Sequence, residues 1–189
     1  WIKSMKTKFL IVVIVISSLL LLFSVVFLAL EKTLEKPPGV ASESDFSKII
    51  PGRSTINDVI RVNGKPKTTE VKEDKTYFYY ETKQSDFKDT VVFEKGVELY
   101  ALENIFDSSE AKLDNFIKSY GEHETYYGLG PFSWFVFLER GVAIETDEKE
   151  VLRILYFVPQ AESSFLSSVA KETGLSKEEP TPEVLRPWL

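Results

Sequence analysis

Asp89-Thr90-Val91-Val92-Phe93-Glu94-Lys95-Gly96-Val97-Glu98-Leu99-Tyr100-Ala101-Leu102-Glu103 decides how this chain folds. β-Branched and aromatic residues fill both ends of the stretch. Glu94-Lys95-Gly96 between them is a tight turn, with glycine where a positive φ is needed. The stretch predicts a β-hairpin, Asp89 to Phe93 against Val97 to Glu103. Upstream, the aromatic run Thr76 to Glu81 predicts a third strand. Before it, Thr55-x-x-Asp58 is a capping box, and Ile56, Val59 and Ile60 form an apolar stripe at helical spacing. Gly64 stops that helix, with Pro66 just beyond.

Downstream the same plan recurs. Asp107-x-x-Glu110 predicts a helix cap, followed by Leu113, Phe116, Ile117 and Tyr120 at i, i+3, i+4 and i+7, with Gly121 as the stop. Phe132 to Leu138 and Val142 to Thr146 read as strands around Glu139-Arg140-Gly141, and Val151 to Val158 as another. A last helix spans about Ala161 to Thr173, with Phe165, Leu166 and Val169 inward. Phe93-Glu94-Lys95-Gly96-Val97 matches Leu138-Glu139-Arg140-Gly141-Val142. The expected fold class is therefore α+β: an N-terminal transmembrane helix, then helices packed on one face of an antiparallel sheet, as a tandem helix–β-meander repeat.

The organisation expected along the chain follows. Residues 1–8 form a cytoplasmic N-terminus, 9–30 a transmembrane anchor, and 31–44 a linker broken by Pro37-Pro38-Gly39. Repeat 1 covers 45–106, a diverged repeat 2 with the C-terminal helix covers 107–175, and 176–189 is a flexible, proline-bearing tail. From Phe9 to Leu30 every residue except Ser17, Ser18, Ser24 and Ala29 is Leu, Ile, Val or Phe. At helical rise the segment spans about 33 Å, enough for a hydrocarbon core of about 30 Å. Lys6 and Lys8 ahead of it place the N-terminus in the cytoplasm and the domain outside.

Composition narrows the functional classes. Three of the 23 basic residues precede the anchor, so the rest of the chain sets 20 of them against 29 acidic residues, a net −9. An acidic domain without a basic stripe does not suit nucleic acid. There is no cysteine, hence no disulfide framework, thiolate metal site or thiol nucleophile. His123, the single histidine, follows a helix stop and reads as a loop residue. Asp147, Glu148 and Glu150 lack the length and the glycine of a calcium loop and read as a hairpin tip. No nucleophile elbow or P-loop is present. The chain is expected to be no enzyme, with no metal and no cofactor.

The strands carry a better signal. With Val91, Phe93, Val97 and Leu99 facing the helices, alternation sends Tyr100 to the opposite face. Aligning the repeats puts Val136, Leu138 and Ile144 beside the helices and Phe135 and Phe137 opposite. Tyr77, Tyr79 and Arg153 join that open face. Tyr77, Tyr79, Tyr100, Phe135, Phe137 and Arg153 are thus the expected partner-binding face, since exposed aromatic and Arg clusters mark contact surfaces.

The stretch Phe46 to Leu102 resembles the SmpA/OmlA (BamE-like) family. The matching residues are Ile50-Pro51-Gly52-x-Ser54-Thr55, Asp58-Val59, Gly64-Lys65-Pro66, the aromatic strand Tyr77 to Tyr80, and Val91-x-Phe93-x-Lys95-Gly96-Val97. The tandem helix–sheet plan is also similar to the β-lactamase-inhibitor-protein fold. The resemblance implies an exported, non-catalytic module that binds other proteins, here tethered by a membrane helix in place of a lipidated cysteine. The expected function is a membrane-anchored extracytoplasmic protein-binding module in envelope or surface protein assembly, its partner another envelope or membrane protein. The alternative is a small-ligand or lipid sensor that uses a pocket between helices and sheet.

Overall fold

A computed structural model describes residues 46–82, 84, 86–105, 111–128, 131–147 and 150–181, all within the compact unit Lys36–Leu189. They build one eight-stranded antiparallel sheet. Its strands are β1 (Thr68–Lys72), β2 (Lys75–Glu81), β3 (Lys88–Glu94), β4 (Val97–Asn104), β5 (Glu124–Tyr127), β6 (Ser133–Phe137), β7 (Val142–Asp147) and β8 (Glu150–Phe157). The order across the sheet is β1-β2-β3-β4-β8-β7-β6-β5. The expected boundary at 106/107 falls between β4 and β5 in sequence, yet β4 pairs with β8 from Tyr100↔Phe157 to Asn104↔Arg153.

The predicted hairpin forms: Glu94 pairs with Val97, leaving Lys95 (φ 53°) and Gly96 (φ 81°) as a two-residue turn with both φ positive. Helix α1 (Ile56–Asn63) starts at the predicted capping box. Asp58 Oδ2 accepts from the Thr55 backbone N–H at 3.0 Å, and the Thr55 hydroxyl accepts from the Asp58 N–H. Gly64 ends the helix. Helix α2 (Leu113–Tyr120) likewise ends at Gly121, but it starts from Lys112, with no side-chain cap, and not from the expected box at Asp107 and Glu110, which lies outside the described residues. Helix α3 is composite: α-helical over Glu162–Phe165, π-helical over Leu166–Ala170, and α-helical again over Lys171–Thr173.

The expected fold class is corrected here. The sheet dominates, its helices are few and short, and they do not share one face. Strands β1 and β5, unforeseen in the sequence, widen it to eight. Helices α1 and α2, with Phe46 and Ile49, cover the face that carries Val91, Phe93, Ala101, Ile144, Ile154 and Tyr156. Helix α3 seals the other, where Phe165, Val169 and Ala170 pack on Val92, Tyr100, Trp134, Val136, Leu155 and Phe157. The cause is visible in the central strands. Val91-Val92-Phe93 and Ile154-Leu155-Tyr156-Phe157 are apolar at consecutive positions and buried on both sides. A strand without alternation needs cover above and below. Among the described residues no helix is long and apolar enough to cross a membrane. The expected anchor, Phe9 to Leu30, lies outside the described residues.

Candidate functional site

Alternation along β2 sends Phe78 and Tyr80 under α1 and α2, and turns Tyr77 toward α3. Tyr79, two residues on, follows Tyr77, and the two rings lie parallel within 13°, centroids 6.4 Å apart. On β4 the same face carries Tyr100 and Leu102, and on β6 it carries Trp134. Across the seam come Glu145 from β7 and Arg153 from β8, paired in register with each other. Together with the end of α3 these side chains enclose a cleft of about 810 Å³.

Its charged groups are tied in pairs. The Arg153 guanidinium donates to both carboxylate oxygens of Glu145, and its Cζ lies 5.3 Å from the centroid of the Trp134 ring. Glu145 is buried and Arg153 half-buried, so the pair satisfies a polar group that burial would otherwise leave without a partner. At the α3 end, Lys75 Nζ donates to Glu172 at 2.9 Å, and the Tyr77 hydroxyl donates to the other oxygen of Glu172 at 3.4 Å. Tyr79 donates to Glu70 at 3.2 Å. Burial pushes the Tyr100 hydroxyl well above its usual range, and Tyr77, Glu172 and Tyr79 push it further. Trp134 is 3 % exposed, and its indole N–H has no hydrogen-bond partner among the described residues.

Four of the six residues expected on the open face, Tyr77, Tyr79, Tyr100 and Arg153, therefore meet in one cleft. Phe135 and Phe137 lie on the opposite face, with the core under α1 and α2. The reason is the turn after β6. Phe137 pairs with Val142, so Leu138 to Gly141 form the turn, whereas its supposed counterpart needs only Lys95 and Gly96. The two turns do not superpose residue for residue, and a one-residue slip reverses every side chain of a strand. Trp134 and Val136 take the α3 face instead. A bulge at Val92/Phe93 also turns Leu99 away from the α1 and α2 face, where Val91 and Phe93 remain. Trp134, Glu145 and Glu172 escaped the sequence reading. The signal that could have found them is the cross-strand series Trp134, Glu145, Arg153, visible only once β6, β7 and β8 are in register.

A second cleft of about 820 Å³ lies on the other face, between the end of α2 and the turn after β6. His123 lines it, its ring 5.0 Å from Phe135 and 5.5 Å from Phe137 by centroid. Its Nδ1 is buried, with no hydrogen-bond partner among the described residues. No group of three or more His, Cys, Asp and Glu side chains that could hold a metal occurs among the described residues.

No family model and no curated protein matches the chain. One solved structure is similar in part, the 1.5 Å crystal structure of an extracellular protein containing a SCP domain from Bacillus anthracis str. Ames. It is 10% identical, with a TM-score of 0.41, over 76% of this chain and 53% of that one. The chain thus spans about half the length of that protein, and nothing about ligand or activity passes from one to the other.

Proposed function

We propose that the chain is a binding module without catalytic activity, which takes a small amphipathic molecule into the cleft between α3 and the sheet. On this reading the apolar segment Phe9 to Leu30 ties the domain to the outer side of a membrane. The observation that carries the reading is the convergence of Tyr77, Tyr79, Tyr100 and Trp134 on one concavity of about 810 Å³. Volumes of roughly 300–1,000 Å³, apolar walls and a few convergent polar groups are what small-ligand sites share. The two carboxylates lining the cleft are committed to ion pairs, Glu145 with Arg153 and Glu172 with Lys75. That favours binding over proton-transfer chemistry, which needs a carboxyl free to exchange its proton.

A thermal-shift screen of uncharged and charged amphipaths against the full chain tests this. A ligand present at a hundred times its Kd stabilises the fold by about 2.7 kcal/mol. Leu102→Arg, which fills the cleft, should abolish the shift. Hits that shift the variant equally would place binding elsewhere.

The mouth of the cleft favours a second reading. Tyr77 and Tyr79 are half-buried and Phe87 is 48 % exposed, an aromatic rim that a protein partner could cover. This is also the reading that the SmpA/OmlA resemblance supports. In-cell crosslinking that captures one envelope protein, and loses it with Tyr79→Ala and Phe87→Ala, would favour it over the small ligand.

A further inference from the structure

The charges at the cleft cancel in pairs. Glu145, Glu172 and Arg153 line it. Arg153 gives its guanidinium to both oxygens of Glu145, and Lys75 donates to Glu172 at 2.9 Å. Lys72 and Lys88 stand over the rings of Tyr77 and Tyr79, both act on Glu70, and neither lines the cleft. The lining therefore holds no charge without its counter-charge. An ion entering such a place gives up its hydration, whichever its sign, and finds no free partner to offset the loss. An uncharged molecule bears no such cost.

Most neutral polar groups of the lining are engaged as well. The Tyr77 hydroxyl donates to Glu172 and that of Tyr79 to Glu70. The Asn104 amide donates to Asp89 and to the Lys88 carbonyl, and the Thr173 hydroxyl to the Val169 carbonyl. Two groups are left over. Tyr100 is buried, and its hydroxyl has no hydrogen bond among the described residues. Trp134 keeps an indole N–H that is likewise without a partner there. An indole N–H only donates and a phenol donates readily, so what both lack is an acceptor. The rest of the wall is apolar, with Leu102, Ile105, Phe132 and Leu152 beside the rings of the tyrosines. Walls of this kind favour an aromatic guest, because edge-to-face and offset ring contacts add to the area buried.

Resting on the cleft as the ligand site of this domain, we propose that its ligand is an uncharged aromatic molecule with a hydrogen-bond acceptor, its ring among the aromatic walls and its acceptor on the Tyr100 hydroxyl. The class follows from what the lining lacks: it has no free charge to meet an ion, and it has a buried donor that only an incoming acceptor satisfies.

The experiment titrates the full chain, in a nonionic detergent, with one ring system in three charge states: 2-acetylnaphthalene, naphthalene-2-carboxylate and 1-(2-naphthyl)ethylammonium. Partition into the micelles is measured without protein and subtracted. The chain has three tryptophans, so the indole N–H region of its nitrogen-proton spectrum holds three signals, and Trp134→Phe identifies the one to follow. The ketone should bind roughly ten-fold more tightly than either ion, since only the ions lose a full charge hydration. Tyr100→Phe keeps the ring and removes the hydroxyl. It should weaken the ketone about five-fold and leave 2-ethylnaphthalene, which has no acceptor, unchanged. The saturated 2-acetyldecalin should bind about five-fold more weakly than the ketone. An ion that binds as tightly as the ketone would overturn the uncharged assignment, and equal binding of the saturated compound the aromatic one; in both cases a shifted Trp134 signal leaves the cleft a ligand site. An unchanged ketone affinity in Tyr100→Phe would overturn the role of the hydroxyl. Binding of none of these compounds would overturn the aromatic ligand, and the cleft itself falls as a ligand site only if the wider screen of amphipaths is also blank.

Discussion

Glu98 sits under α1 at 1 % exposure, and neither of its carboxylate oxygens has a hydrogen-bond partner among the described residues. Its backbone is fully engaged: its N–H donates to Ser54 O at 2.8 Å, and its carbonyl accepts from the Gly52 N–H at 2.8 Å. The strand thus holds the acid in place, and desolvation pushes its carboxyl well above the usual range. The folded protein keeps this group neutral at pH values where the unfolded chain has already released the proton. Its contribution to stability is therefore complete below the ordinary glutamate pKa and is lost as pH rises toward the folded value, by at most about 1.4 kcal/mol per pH unit. Glu98→Gln removes the ionisation and keeps the shape. Urea unfolding at a series of pH values from 4.5 to 8 should show the variant gaining on the native chain as pH rises. Parallel profiles would mean that Glu98 is already charged in the fold. At this scale the sequence was a poor guide. Val97-x-Leu99 reads as an inward pair by alternation, but the bulge at Val92/Phe93 leaves Glu98 inward beside Phe93, and Val97 is 37 % exposed.

Among the elements, those that carry their own punctuation were legible. Thr55, Asp58 and Gly64 bracket α1, and Lys95-Gly96 bends the β3–β4 hairpin. Strands β1 and β5 were not legible, because they are the edges of the sheet. Thr68-Thr69-Glu70-Val71-Lys72 is exposed or half-exposed at every position, so no buried face imposes alternation on it. Helix α3 shows a different limit. Its apolar stripe tells which side is buried, but not which face of the sheet receives it. That choice is made by Phe165, which meets Phe157 and Tyr126 at centroid distances of 4.8 and 5.4 Å. It is reinforced by Glu162, which accepts from the Tyr126 hydroxyl at 3.0 Å, and by Glu172 on Lys75. Because Phe165 is fully buried, Phe165→Ala should cost about 3–5 kcal/mol. It should also loosen α3 enough to disturb the cleft, whose far wall is Glu172 and Thr173. Chemical denaturation gives the first quantity, and hydrogen exchange of the α3 amides the second. A loss below about 1 kcal/mol would mean that α3 is held by its ion pairs rather than by its apolar face.

For the molecule as a whole, the decisive contact is the β4–β8 seam. It joins the last strand before residue 106 to the last strand of the sheet, and no local motif announces it. The hairpins on either side could be read from short-range pattern; the seam could not, since it pairs residues some fifty positions apart. Its consequence is mechanical unity. Tyr156 donates from β8 to Glu103 on β4 at 2.8 Å, and the two apolar layers each draw residues from both sides of the seam. Neither set of strands therefore has a core of its own, and the sheet should open in a single cooperative step. Phe93→Ala, at a fully buried position on β3, should cost about 3–5 kcal/mol. If the seam couples the halves, the most protected amides of β7 should lose as much protection in hydrogen exchange as those of β3, although Ile144 and Phe93 lie on strands three places apart in the sheet. A loss confined to β2, β3 and β4, with β7 unchanged, would show two units that open independently. The cleft, which takes Tyr100 from one side of the seam and Trp134 and Arg153 from the other, would then be built across a joint rather than on a rigid floor.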